Sequence, residues 1–246
     1  DATYLYDQFA ILSPLLLFLS SACPFINGYL TESQNRWKII EQSVDDRKKN
    51  EDINKSRYST ISRFINQKGQ KYNDLKEEYD DECYQLLKKN NIPENINKHI
   101  SYLFLRDPII MYENDIKQTK EKLEKEKDFF ININSSNWNN VRLKPPMDNQ
   151  DSWKVEIRML DIQTDNFKNA SFIIYVLMLA RIILKYKLNF YIPLSYVEEN
   201  FSLIEKRNFK NKLFTNIFWN KNKKNFSPEM VDIHVIIDKL NFLIKK

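Results

Sequence analysis

The scarcity of glycine is the feature that most limits what this chain can fold into. Gly28 and Gly69 are its two glycines, and they lie too far apart to belong to one motif. A phosphate-binding P-loop and the G-x-G-x-x-G turn of dinucleotide-binding domains both need several glycines within a short stretch. Both kinds of site are therefore excluded within these 246 residues, and a β sandwich or barrel with many tight turns is disfavoured.

The remaining composition is typical of a globular chain with a slightly basic balance. The formal net charge of +5 suits an anionic small-molecule ligand, but it fits a compositional bias equally well. Cys23 and Cys83 form no C-x-x-C pair, so neither a disulfide framework nor a zinc site is expected. The apolar stretch 172–184 is interrupted by Arg181 and is too short to span a membrane, so it predicts a buried helix in a cytoplasmic protein.

Hydrophobic periodicity predicts one helix-dominated α+β domain over residues 1–246, with a few antiparallel strands. The predicted helices cover 4–22, 57–67, 80–90, 94–105, 166–188, 194–206 and 228–244, while 36–44 fits either a helix or a strand. Strands are predicted at 137–144 and 153–163, and the short link between them favours an antiparallel pair. A turn is predicted at Asn27–Gly28, a charged loop at 117–128, and an irregular or disordered segment at 208–226.

The strand 153–163 carries the strongest candidate for chemistry. Its alternation turns Trp153 and Val155 toward the core and places Glu156 and Arg158 together on the opposite face. A carboxylate and an arginine in one cleft can hold the cation and neutralise the phosphate of a Mg-nucleotide, because phosphoryl transfer depends on positioning and charge. The structural alternative is a cross-strand ion pair on a solvated sheet face, and the spacing leaves both interpretations open.

Arginine is scarce beside lysine, with nine residues against 29, so each arginine indicates a need for its rigid planar fork. Six stand in distinctive short contexts: Arg36, Arg47, Arg57, Arg106, Arg142 and Arg158. Composition alone favours a structural salt bridge for any one of them. The two cysteines and His99 are expected to be structural rather than catalytic. Trp138, which lies between two asparagines, suits either the core or the wall of a ligand pocket.

Several short stretches stand in a distinctive order: YLYDQFA (4–10), CPFINGYL (23–30), RWKIIEQSVDDR (36–47), KSRYSTI (55–61), KYND (71–74), KHISYLFLRDPI (98–109), SSNWNNVRLKPP (135–146), WKVEIRMLDIQ (153–163) and YKLNFYIPLSYVEEN (186–200). In wording and order they resemble the catalytic subunit of eukaryotic-type glutamate–cysteine ligase, specifically the C-terminal part of its catalytic core. The combination of SSNW, KPP and WKVEIR is specific. Beyond residue 208 the likeness fades, apart from a short candidate match in 228–238.

The resemblance implies an enzyme that uses ATP and Mg²⁺ to join the γ-carboxylate of L-glutamate to the amino group of L-cysteine, as the first step of glutathione synthesis. A γ-glutamyl phosphate would form first, and the cysteine amine would then attack it. The implied fold is glutamine-synthetase-like, with a funnel-shaped antiparallel sheet backed by helices. A regulatory (modifier) subunit is a further candidate partner, whereas nucleic acid and a membrane are not expected.

Carried over residue by residue, the resemblance implies five site residues. Glu156 would ligate Mg²⁺ and Arg158 would bind phosphate, which makes both catalytic. Arg36 would contact the amino-acid substrates. Tyr58 and Trp138 would line the substrate pocket, with Tyr58 on the cysteine side.

Departures from the family pattern limit this interpretation. Asp161 stands where the family has Glu, and Gln34 where it has Asp. The family's N-terminal half, which holds its other metal carboxylates, has no counterpart here, so we expect a fragment of a larger catalytic core that is inactive alone. The alternative hypothesis is a non-catalytic basic helical module that binds RNA or a protein partner, suggested by the charge and by the aromatic, Asn- and Lys-rich segment 208–225.

Overall fold

The computed structural model describes residues 1–22, 25–31, 33, 35–45, 47, 53–107, 109, 127–146, 151–205, 210–215 and 228–245. Cys23 and Gln34 lie outside these residues. The described helices are α1 (Ala2–Ser20), α2 (Arg36–Ser43), α3 (Asp81–Lys89), α4 (Glu94–Leu103), α5 (Lys127–Ser135), α6 (Asn166–Tyr186), α7 (Leu194–Ile204) and α8 (Ile233–Ile244), with a 3₁₀ helix at Gln67–Tyr72. The predicted helix-dominated α+β class is therefore confirmed.

Three separate two-stranded antiparallel sheets occur in the described residues. Strands β1 (Phe25–Ile26) and β2 (Tyr29–Leu30) pair across the predicted turn, where Asn27 and Gly28 both have positive φ. The second sheet pairs β3 (Val141–Lys144) with β4 (Lys154–Ile157), as predicted, and the third pairs β5 (Lys212–Thr215) with β6 (Glu229–Asp232). Membership of β3 and β4 in a larger funnel-shaped sheet stays a prediction.

Helix α1 forms the centre of the core. Its residues are apolar on nearly every side, and it packs against β3, β4, α6 and α7. The helix continues through Pro14, as predicted. By length and composition alone, α1 and α6 are two helices of the described chain that could cross a membrane. They differ in burial, because most of α1 lies inside the protein and most of α6 does not.

The stretch 172–184 forms a helix as predicted, but the prediction that this helix is buried is wrong. Only Leu179, Ile182 and Ile183 of α6 are buried. Periodicity could not reveal this, because a helix that is apolar all round has no polar side to mark its solvent-facing surface.

Three other sequence predictions also need correction. The helix predicted at 57–67 does not form, and residues 57–66 are irregular, because side-chain oxygens of Asn140, Asn73 and Asp7 accept the backbone N–H groups of Ile61, Phe64 and Ile65. The segment 208–226 contains the strand β5, although 216–227 lies outside the described residues. The last helix begins at Ile233, capped by Asp232, because 229–232 pairs as β6.

A buried carboxylate joins α1 to two distant segments. Asp7 accepts hydrogen bonds from the backbone of Ile65 (2.8 Å) and Asn66 (3.1 Å) and from the hydroxyl of Tyr191 (2.7 Å). Gly69 is required beside it, since a Cβ there would lie 2.6 Å from a carboxylate oxygen of Asp7. Burial raises the pKa of Asp7 to about 7, although its hydrogen bonds favour the charged form.

We expect the free energy of unfolding to fall as the pH rises from about 4 through 7. Over that range the folded chain keeps a proton on Asp7 that the unfolded chain releases, so the stabilising contribution is complete below the unfolded pKa and is lost as pH passes the folded one. Asp7→Asn removes this dependence. It also lowers stability at acid pH, because an amide N–H replaces an oxygen opposite a backbone N–H. Urea unfolding at several pH values measures both effects.

Asp238→Asn, on the exposed side of α8, is the matched control and keeps the wild-type pH dependence. An identical pH dependence in the wild type and in Asp7→Asn would contradict the assignment.

Candidate functional site

The β3–β4 pair presents one face to the core and the other to a cluster of charges. Val141 and Leu143 are buried in the core, and the register places them opposite Ile157 and Val155. Trp153, predicted to face the core with them, is 44% exposed. Residues of the opposite parity point away from the core, which is the alternation that the sequence predicts.

Glu156 lies at the centre of the charged face. Arg142 is its cross-strand partner, with Nη2 2.9 Å from Oε2 of Glu156. Lys144 Nζ lies 3.4 Å from the same oxygen, and Arg158 contacts Oε1. Arg142 also donates to the carbonyl of Ser135 at the end of α5 (3.1 Å), which fixes its guanidinium. The structure therefore brings the predicted pair, Glu156 and Arg158, into direct contact.

Three cations around one carboxylate leave the cluster with surplus positive charge. Burial raises the pKa of Glu156, but Arg142, Arg158 and Lys144 lower it further than burial raises it, so the net shift is downward. The Nε–H groups of Arg142 and Arg158 are buried and have no acceptor in the described part of the chain. The surplus positive charge of the cluster, rather than these buried donors, is what suits an anion with several oxygens such as phosphate.

A stacked aromatic pair lies beside the hairpin. The rings of Tyr58 and Trp138 are 5.1 Å apart at 13°. The backbone N–H of Trp138 donates to the carbonyl of Arg57 (2.7 Å), and the Asn139 side chain donates to that of Ser59 (3.1 Å). Tyr58 and Trp138 are half-buried while Arg57 and Ser59 are buried, so part of the aromatic surface of the pair is open to solvent.

Asn140 connects this aromatic pair to the charged cluster. Its carbonyl accepts the backbone N–H of Arg158 (3.0 Å), and its side-chain oxygen accepts that of Ile61 (2.9 Å). Asn140 stands two residues after Trp138 and immediately before β3. The aromatic pair and the charged cluster therefore lie at the same end of the β3–β4 pair.

Arg36 is linked to the hairpin through a buried carboxylate. Asp161 accepts the backbone N–H of Arg36 (3.0 Å) with one oxygen and that of Ala22 (3.1 Å) with the other. Asp161 follows Arg158 by three residues, so it ties the start of α2 to the end of β4. Among the described residues, the Arg36 side chain forms no hydrogen bond or ion pair with the other four predicted site residues.

Sequence reasoning did not place Arg142, Lys144 or Asp161 in the site. In the sequence, Arg142 stands out only as one of six arginines in distinctive short contexts. The alternation of β3 was the available signal, because antiparallel pairing with β4 puts residues 142 and 144 on the face of Glu156. The sequence signal for Asp161 is its place in the stretch 153–163, but its contacts with residues more than a hundred positions away could not be predicted from spacing.

The other reactive side chains have structural environments. Burial raises the pKa of the Cys83 thiol, with an opposing hydrogen bond from Ser101, so the reactive thiolate is disfavoured. Burial lowers the pKa of His99 to about 4, and its ring packs edge-on against Tyr6. No group of three or more metal-ligating His, Cys, Asp or Glu side chains occurs in the described ranges.

Comparison with known proteins gives one consistent result. The sequence profile of a family described as glutamate-cysteine ligase matches residues 1–241. A glutamate–cysteine ligase catalytic subunit of Homo sapiens is 40% identical over 219 residues, which covers 84% of this chain and 34% of that protein. The glutamate–cysteine ligase of Dictyostelium discoideum is 41% identical over 84% of this chain and 35% of its own length. This chain thus spans about one third of the length of these relatives.

We expect Arg142→Met to raise the pKa of Glu156 and Lys144→Met to raise it less. Arg142 is buried and close to the carboxylate, whereas Lys144 is 42% exposed and screened by water. A carbon-detected NMR titration of the Glu156 carboxyl group measures both shifts. A larger shift in Lys144→Met than in Arg142→Met would contradict the described cluster.

Proposed function

This chain belongs to the glutamate–cysteine ligase family, and we propose that it supplies the phosphate-binding side of the active site of such a ligase. The observation that carries the proposal is Glu156 held between Arg142, Lys144 and Arg158, which leaves the cluster with surplus positive charge. The reaction joins L-glutamate to L-cysteine at the expense of ATP. In its first step a γ-carboxylate oxygen attacks the γ-phosphorus and ADP leaves; in the second the cysteine amine displaces phosphate.

Arg142 and Arg158 neutralise phosphate in this proposal. Their guanidinium groups lie on either side of one carboxylate, which holds both forks in place before substrate arrives. Charge that develops on the transferring phosphoryl group would meet these fixed donors without further rearrangement. The hydrogen bond from Nη1 of Arg142 to the carbonyl of Ser135 also holds this guanidinium group in place.

Glu156 fits Mg²⁺ as one carboxylate ligand. Mg²⁺ in nucleotide sites typically takes one or two carboxylates together with phosphate oxygens and water, so a single glutamate beside a phosphate site suits it. The surrounding cations oppose a metal ion until phosphate neutralises them, so we propose that the ion binds with the nucleotide. When bound, Mg²⁺ would shield phosphate charge from the attacking carboxylate oxygen.

Tyr58, Trp138 and Arg36 form the amino-acid side of the proposed site. The stacked rings offer an apolar wall that excludes water from the acyl phosphate. Arg36 would bind a substrate carboxylate, and its guanidinium has no hydrogen-bond partner among the described residues. Asp161 is a positioning residue in this proposal, because it holds the backbone of Arg36 but does not itself reach a substrate.

The complete activity is proposed for a longer polypeptide, since this chain covers about one third of its relatives. A cytoplasmic location and a regulatory (modifier) subunit stay predictions. The alternative of an RNA-binding module has no supporting observation, because the relatives described above are named as ligases and residues 216–227 lie outside the described structure.

We expect Glu156→Gln and Arg158→Lys to lower turnover in the longer ligase by about 100-fold or more, which is the usual cost of removing one preorganised charge contact. Melting temperature should change little, because the cluster is partly exposed. Phosphate release that requires both glutamate and cysteine is the measurement. Glu199→Gln, an exposed carboxylate on α7, is the matched control and should retain wild-type turnover.

The 246-residue chain alone should show almost no glutamate- and cysteine-dependent ADP formation. Among the described residues, Glu156 is the carboxylate of the charged cluster, and we expect the other ligands of the proposed Mg-nucleotide site to come from the remainder of the longer ligase. A coupled assay of the chain beside the longer ligase, at equal molar concentration, tests this. Turnover of the chain at the rate of the longer protein would contradict the prediction.

A further inference from the structure

Most of helix α6 is exposed even though it is apolar around nearly its whole circumference. Its buried side packs against α1 and α8 through Leu179, Ile182 and Ile183. On the other side, Phe167 is 82% exposed and Leu177 is 64% exposed, and Ile173, Ile174 and Met178 are exposed with them. Contiguous exposed apolar surface of this kind marks an interaction site, and an all-apolar helix is normally covered on every side.

The outward stripe of α6 follows helical spacing and ends in positive charge. Its central positions recur at alternating intervals of four and three residues: Phe167, Ser171, Ile174, Met178, Arg181 and Lys185. The exposed Ile173 and Leu177 flank them. Neither Arg181 nor Lys185 has a carboxylate partner in the part of the chain that the structure describes. A surface that fits this stripe must therefore be apolar along the first three turns of α6 and acidic opposite its last two.

We infer that the outward stripe of α6 is an internal docking surface, covered in the longer ligase by a segment outside these 246 residues that carries an apolar strip flanked by carboxylates. This inference rests on the proposed function, because it takes the chain to be part of a larger ligase. The length of the relatives supports this inference. The matched residues make up 34% of the human relative, so about two thirds of such a protein is available to cover the stripe.

A membrane is a poorer occupant for this stripe. The uncharged stretch 169–180 lies between Lys168 and Arg181 and is shorter than the roughly 20 residues that span a bilayer. Arg181 also lies on the outward face itself, where hydrocarbon would surround its charge. A protein surface can instead pair that charge with a carboxylate.

The double variant Ile174→Ala/Leu177→Ala tests the inference in both the 246-residue chain and the longer ligase. Alanine keeps helix propensity, so only the loss of packing matters. We expect the melting temperature of the chain to change by no more than about 1 °C, because both side chains are exposed there. In the longer ligase it should fall by about 5 °C or more, since buried methyl groups are lost. Leu179→Ala, on the buried side, is the matched control and should destabilise both proteins.

Maleimide labelling of Met178→Cys, resolved by peptide mass spectrometry, gives an independent readout. We expect rapid labelling at position 178 in the chain and at least 10-fold slower labelling in the longer ligase. Arg181→Glu should lower the melting temperature of the longer ligase, because it places a carboxylate opposite the carboxylates of the covering segment. Arg181→Lys keeps the positive charge and should lower the melting temperature much less.

Three results would overturn the inference. Equal labelling rates in the two proteins would mean that the stripe stays exposed. Sedimentation of the chain as a dimer, with slow labelling at position 178, would identify a second copy as the occupant. Flotation of the longer ligase with phosphatidylcholine–phosphatidylserine vesicles, abolished by the double variant, would identify a membrane. Ligase activity is measured on the same samples, so a covered stripe in an inactive protein would reject only the proposed function, and an exposed stripe in an active one only the docking surface.

Discussion

The candidate site depends on polar contacts that begin at a buried carboxylate in the first helix. Asp7 holds the backbone of Ile65 and Asn66, and the adjacent Gln8 accepts the backbone N–H of Phe190. These bonds take the place of helical hydrogen bonds in the segment before the 3₁₀ helix, which is irregular although its sequence favours a helix. Because the segment is not helical, its earlier residues 57–61 can lie along the loop that leads into β3. The stacked aromatic pair is a consequence of that alignment.

Asparagine provides much of what glycine usually provides in such a fold. Asn27, Asn91 and Asn211 have positive φ, a conformation that asparagine tolerates better than most residues. At Asn140 the side-chain oxygen accepts the backbone N–H of Ile61, a hydrogen bond that a backbone carbonyl would make in a sheet. A chain with two glycines can therefore still make tight turns. The absence of a glycine-rich loop also has a functional counterpart, because the phosphate site proposed here uses side-chain guanidinium groups rather than backbone amides.

Hydrophobic alternation and periodicity in the sequence predict the strands and helices whose formation depends on neighbouring residues. The alternation of residues 153–163 predicted β4 and the shared face of Glu156 and Arg158, and most helices were found from their periodicity. Local pattern gave a wrong secondary structure at 57–67, where distant contacts determine the backbone conformation. It also gave a wrong burial for α6, because a helix that is apolar all round has no polar side to indicate which surface is solvated. The stacking of Tyr58 on Trp138 joins residues 80 positions apart, so no spacing rule could have revealed it.

The charge balance of the cluster decides what share of the chemistry this chain can supply in the proposed ligase. Arg142, Lys144 and Arg158 against Glu156 leave about two positive charges, which attract a phosphate but repel a free metal ion. In the proposed ligase, electrostatics would therefore order the two binding events, because a metal ion would be favourable here only after the nucleotide had brought its negative charge. We therefore expect the other metal carboxylates of the proposed ligase to come from the part of the longer polypeptide outside this chain. If they stood among these cations without a nucleotide, they would form ion pairs that close the site to phosphate.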